Sequence, residues 1–228
     1  MNPIILLHGA LGTSDQLKLL AEGLVSEGAI HLINFEGHGA ESLPDRPFRM
    51  EYFAENVLDF MDHHEIEQAD FFGYSMGGYV AMILAKDYPE RTGKIATLGT
   101  VLKWSFEIAE KECRFLNPEK IKEKVPKFAE ELGSRHPSGW ERVTEKTKDL
   151  LLDLGETPRI SELEWGSISH RVRIHVGDRD ATAGIEQSLD VFKKLQNGEL
   201  MVLPNTPHPI DRADLKLLAG SLNQFFKD

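Results

Sequence analysis

Residues 69–84 read Ala69-Asp70-Phe71-Phe72-Gly73-Tyr74-Ser75-Met76-Gly77-Gly78-Tyr79-Val80-Ala81-Met82-Ile83-Leu84. A short apolar run of strand character ends at Gly73, and an apolar run of helical length begins at Met76. A strand at about 68–72 must therefore turn into a helix at about 76–88 within roughly one residue, and Gly73-x-Ser75-x-Gly77 suits that turn. The serine at its apex is forced into a sparsely populated backbone conformation, and side chains on either flank would collide, so glycine takes both places. The hydroxyl then stands clear of the backbone at the amino end of a helix, where backbone donors and the helix dipole favour developing negative charge. A glycine-rich turn that merely lets a helix pack closely on a sheet has the same local pattern. The rest of the chain has to decide between the two.

Outward from this turn the apolar pattern alternates between strand and helix. Residues 3–7 form a buried strand ending at His8-Gly9; Thr13 and Gln16 have the spacing of a capping box, with Leu17, Leu20, Ala21, Leu24 and Val25 behind them at helical intervals. A strand at 29–35 closes on Glu36-Gly37-His38-Gly39, and a helix over 50–63 places Phe53, Val57, Phe60 and Met61 on one face. A strand at 94–99 follows. The alternation then stops: residues 103–165 hold Lys/Glu-rich helical stretches broken by Pro118, Pro126, Pro137 and Pro158, and no strand. It resumes with strand 171–176, helix 184–195, strand 199–203 and a helix near 211–226. The pattern predicts an α/β fold, a mostly parallel sheet with helices on both faces, in which residues 1–102 and 166–228 form the core and 103–165 a helical cap insertion.

The 228 residues suit one domain with one sizeable core. A net charge of −11 argues against a nucleic-acid or anionic-membrane partner. The single cysteine, Cys113, rules out an internal disulfide, and with neither a basic leader nor a long apolar run a cytoplasmic protein is expected. Cys113 lacks any turn that would present it as a nucleophile and reads as a structural thiol. His63 and His64 are adjacent and cannot face one site on a helix; no metal site is expected, and the phosphate-binding glycine motifs are missing.

Two further candidates lie just past predicted parallel strands, where open α/β sheets place their sites. Val176-Gly177-Asp178-Arg179-Asp180 follows the strand at 171–176, with Asp178 and Asp180 both eligible as an acid. His208 follows the strand at 199–203 and is the only histidine downstream of Asp180. Leu7-His8-Gly9-Ala10, Gly37-His38-Gly39, Gly73-Tyr74-Ser75-Met76-Gly77-Gly78, Gly177-Asp178-Arg179-Asp180 and Pro207-His208 stand in the order found in the α/β-hydrolase superfamily. The chain resembles that family over essentially its whole length, and within it is most similar to small capped esterases, carbon–carbon hydrolases and menaquinone-synthase-like enzymes.

The resemblance implies a Ser75, Asp180 and His208 triad, the family's Gly-x-x-Asp spacing from Gly177 selecting Asp180 and leaving Asp178 as a turn residue. It implies backbone oxyanion donors at Ala10 and Met76, a structural role for His8, and no cofactor. One departure is that Pro207 and Pro209 flank His208 where the family usually has a preceding glycine. From the cap, Trp104, Phe106 and Trp140 are expected to line a substrate pocket. The implied activity is hydrolysis of a small carboxylic ester or thioester through an acyl-enzyme. A carbon–carbon hydrolase or lyase with the same triad, haloperoxidase-like activity and a non-catalytic ligand-binding member are the rivals; Ser75 argues against epoxide hydrolases and haloalkane dehalogenases, which use an aspartate nucleophile. The family's first two strands are expected to be absent, leaving a smaller sheet or an edge that pairs with a second subunit in a homodimer.

Overall fold

Every strand is separated from the next by at least one helix, so neighbouring strands pair in parallel and the connections cover the sheet. The computed structural model describes residues 2–227. Strands β1 (Ile4–Leu7), β2 (Ile30–Ile33), β3 (Ala69–Tyr74), β4 (Thr92–Leu98), β5 (Arg171–Gly177) and β6 (Asn197–Leu203) form one sheet in the order β2-β1-β3-β4-β5-β6. Every pairing is parallel, and β2 and β6 are its edge strands.

The two-residue period of the strands divides the core in two. Ile5, Leu7, Phe71, Ile95, Val172 and Ile174 face one layer, with helices α2 (Met50–His63), α3 (Met76–Asp87) and α8 (Ile185–Lys194) packed on it. Ile4, Leu6, Phe72, Tyr74, Ala96 and Leu98 face the other, covered by α1 (Lys18–Glu22) and α9 (Leu215–Lys227). Helix α3 is buried without a break from Met76 to Ala85, because the sheet lies on one side of it and other helices on the rest.

Between β4 and β5 the chain forms α4 (Phe106–Cys113), α5 (Pro118–Lys124), α6 (Pro126–Arg135) and α7 (Trp140–Glu156), with no strand. Ser105 and Asn117 accept from the amides of Ile108 and Lys120 and so start α4 and α5, and prolines occupy the first turns of α5 and α6. This segment is tied to the loops and the helix beside the sheet: Lys111 Nζ donates to Ala181 O at 2.6 Å, Lys146 Nζ to Arg46 O at 2.7 Å, and Arg159 pairs with Glu51 of α2.

Two boundaries and one cap differ from the sequence pattern. Thr13 is the N-cap of a 3-10 turn, Ser14–Leu17, but its side chain makes no capping bond: the Gln16 amide donates to the Thr13 carbonyl at 3.1 Å, and Asn34 Oδ1 accepts the Ser14 amide at 2.8 Å. The strand expected at 29–35 ends at Ile33 because Asn34 is drawn into that contact. The last helix begins at Leu215 rather than near 211, since Asp214 Oδ1 caps the amides of Lys216 and Leu217.

Candidate active site

Ser75 lies between β3 and α3 at φ +50° and ψ −115°, held there by its own amide, which donates to Leu98 O at 2.8 Å. A Cβ on Gly73 would come within 2.4 Å of the Gly78 backbone, and one on Gly77 within 2.3 Å of Leu7 O. The second approach brings the end of β1, and the loop after it, against the start of α3.

His208 reaches the serine from the loop after β6, with Nε2 3.2 Å from Ser75 Oγ. Its Nδ1 lies 2.9 Å from Asp180 Oδ2 and 3.1 Å from Oδ1, so Nδ1 holds the proton that faces the carboxylate and Nε2 accepts the hydroxyl. Asp180 Oδ1 also accepts the amides of Thr182 and Ala183, at 2.9 Å each. Burial pushes the Asp180 carboxyl upward, but the His208 hydrogen bond and charge together with those two amides outweigh it and leave the group below its ordinary value. Asp178 makes no bond to the imidazole; it accepts the Thr206 amide at 3.1 Å and fixes the turn leading to His208. Between prolines 207 and 209 the histidine is steadied further by Tyr74, whose hydroxyl donates to His208 O at 3.1 Å.

A cavity of about 210 Å³ opens at Ser75 and His208. Ala10 and Met76 both line it, and neither amide is hydrogen-bonded to another group among the described residues. Its walls include Met50, Tyr79, Val101, Trp104, Leu116 and Leu151. Among all the lining residues Glu112 is the one carboxylate, and there is no lysine or arginine. Of the three expected cap residues, Trp104 is on the wall; Phe106 and Trp140 are not among the lining residues, which corrects the expectation for both. Phe106 opens α4 toward solvent at 55% exposure, while Trp140 opens α7 and is buried in packing within the helical segment. Among the described residues no three His, Cys, Asp or Glu side chains cluster as metal ligands would.

Several residues here went unnoticed in the sequence. Gly99, at φ +60°, follows β4 directly under the Asp180–His208 pair; a Cβ there would lie 3.0 Å from Asp180 Oδ2 and 3.3 Å from His208 Nδ1. The signal was a glycine just past a strand. Glu112 and His136 carried no pattern of their own. His8 Nδ1 bonds the Gly9 carbonyl at 2.8 Å and its Nε2 accepts the Phe35 amide at 3.3 Å, the loop-holding position expected for it.

The family model for the alpha/beta hydrolase fold matches residues 2–132, more than half of the chain, and the chain belongs to that family. Over 99 residues it is 34% identical to "Esterase YbfF" of Escherichia coli (strain K12), a match covering 42% of this chain and 38% of the relative. Over 67 residues it is 40% identical to "3-oxoadipate enol-lactonase 2" of Acinetobacter baylyi, covering 29% and 25% respectively. The chain thus matches well under half the length of these curated relatives. A thermophilic esterase structure from Thermogutta terrifontis superposes with a TM-score of 0.80 at 19% identity, over 100% of this chain and 90% of the other, a likeness of fold.

Proposed function

We propose that the protein is a serine hydrolase cleaving small carboxylic esters or thioesters with an uncharged acyl group, through an acyl-enzyme on Ser75. The observation that carries this reading is the unbroken line from Ser75 Oγ to His208 Nε2 at 3.2 Å and from His208 Nδ1 to Asp180 at 2.9 Å. In it, His208 takes the Ser75 proton as the hydroxyl attacks the carbonyl, then delivers it to the departing alkoxide or thiolate. Water repeats the sequence on the acyl-enzyme, with His208 again as base. Asp180 keeps the imidazole in the required tautomer and stabilises its protonated form. The free amides of Ala10 and Met76, at the wall of the same cavity, are the donors for the tetrahedral oxyanion, each worth roughly 10²–10³ in rate. No cofactor takes part in these steps.

Residues 103–165 act as a cap over a core made of 1–102 and 166–228, and supply Trp104, Glu112 and Leu116 to the cavity. An apolar wall with a single carboxylate suits a neutral acyl chain. It also favours ester cleavage over a carbon–carbon hydrolase or lyase acting on an anionic substrate, because there is no cation in the lining to receive a substrate carboxylate. The test is a fluorophosphonate probe together with short p-nitrophenyl esters. Labelling and turnover should both be present in the wild type and lost in Ser75→Ala. Folded wild-type protein that takes no label would favour a ligand-binding role instead.

A further inference from the structure

His136 follows α6 in the cap, is 1% exposed, and reaches across to two loops of the core. Its Nε2 lies 3.0 Å from Leu11 O, and the Gly39 amide donates to its Nδ1 at 3.1 Å. An amide N–H can only donate, so Nδ1 carries no proton, Nε2 carries the one that Leu11 O accepts, and the ring is neutral with a fixed tautomer. Leu11 is the residue after Ala10, and its backbone sits at φ +54°, a conformation that a branched, non-glycine residue keeps only when its surroundings impose it. Within the core the 9–12 loop has one short backbone bond, Gly12 N to Gly9 O at 3.0 Å, and the His8 ring on Gly9 O. His38 packs between His8 and His136, with ring centroids 5.1 and 5.5 Å away, and its own Nε2 has no partner among the described residues. The Leu11 carbonyl therefore takes its side-chain partner from the cap.

We infer that His136 is a positioning residue for the oxyanion amide of Ala10: it holds the 9–12 loop in its strained form and makes that form depend on a seated cap. The inference rests on the reading of Ala10 as an oxyanion donor. Because that hydrogen bond is made mainly in the transition state, misplacing the loop lowers kcat and spares KM. Cap seating and completion of the oxyanion site become one event, joined through a single neutral imidazole.

The test compares three variants on p-nitrophenyl butyrate and by amide hydrogen exchange. His136→Phe keeps a ring and removes both bonds; His136→Gln can return an N–H to the Nε2 position; His136→Asn reaches only the Nδ1 position. His136→Phe should lose about 10- to 100-fold in kcat with KM within about threefold, and its residues 9–12 should exchange faster. His136→Gln should recover most of the loss. A folded His136→Phe with kcat within about threefold of wild type overturns the inference. If that variant does not fold, the comparison of Gln with Asn decides: Gln the faster supports the inference, and equal rates overturn it. Should wild-type Ser75 take neither label nor ester, the functional reading fails by itself. Exchange at 9–12 then decides the positioning role, faster exchange in His136→Phe supporting it and unchanged protection overturning it.

Discussion

Ser75 and His208 stand out in the sequence by a steric requirement and a position: glycines that a tight turn cannot do without, and a loop just past a parallel strand. Position alone left Asp178 and Asp180 both open, and the family resemblance chose between them. Side chains that shape the cavity carry no such mark. Phe106 and Trp140 were as apolar as Trp104, and nothing in a helical period says which face of a helix meets the cavity. Glu112 was one of many glutamates. In the fold its side chain is only 15% exposed, and the half-exposed Lys111 Nζ, 3.8 Å away and donating to Ala181 O, offsets its charge only in part. At such a site a carboxylate repels an anionic substrate by an amount on the order of 1–3 kcal/mol. Wild-type protein should therefore favour p-nitrophenyl butyrate over the corresponding hemisuccinate ester by at least about tenfold in kcat/KM, and Glu112→Gln should narrow that gap by roughly 3- to 10-fold. A ratio that does not respond to the substitution removes Glu112 from the specificity of the pocket.

Among elements, the contact between β1 and α3 is the one on which the site's geometry turns. Both were legible, β1 as an apolar run and α3 as the helix after the serine, but their closeness was not, since it depends on which strands the sheet sets side by side. With β1 next to β3, Gly77 faces Leu7 O so tightly that a methyl group would stand 2.3 Å from it. The obstacle is backbone and cannot rotate away. Gly77→Ala should cost about 3 kcal/mol in urea unfolding and reduce ester turnover through displacement of the 9–12 loop. A variant of wild-type stability would show that β1 yields easily. The first helical turn does start after Thr13, as its spacing with Gln16 suggested, although the Gln16 amide takes the Thr13 carbonyl and not its hydroxyl. The start of α9 was misread, because Asp214 supplies a cap beyond the point where the apolar period suggested one.

Across the whole molecule, composition gave the number of histidines but not how many would be sealed inside. His8, His38, His136 and His175 are all fully or nearly fully buried. Burial lowers each below its ordinary value of 6.5, with neighbouring positive groups adding to it, and takes His8 and His175 to about 4. Such a ring is neutral in the fold and gains a proton more readily when unfolded. Its contribution is complete above pH 6.5 and is lost as pH falls through the interval down to about 4. His8 and His175 alone should cost about 2 kcal/mol each between pH 7 and pH 5, lowering Tm by roughly 10 °C. The raised Asp70 carboxyl opposes this only in part. Thermal melts at the two pH values check it, and equal midpoints would mean that the rings are protonated without unfolding.

The helices α4–α7 leave from the top of β4 and return to the bottom of its parallel neighbour β5. Two parallel strands side by side need some crossover of a dozen residues or more. The helical segment is thus built out of a return path that the sheet could not do without. Such a segment is free to lengthen, shorten or exchange one set of helices for another, and the cavity is free to change with it. It cannot be excised outright, because a version without it would first have to find β5 another way home.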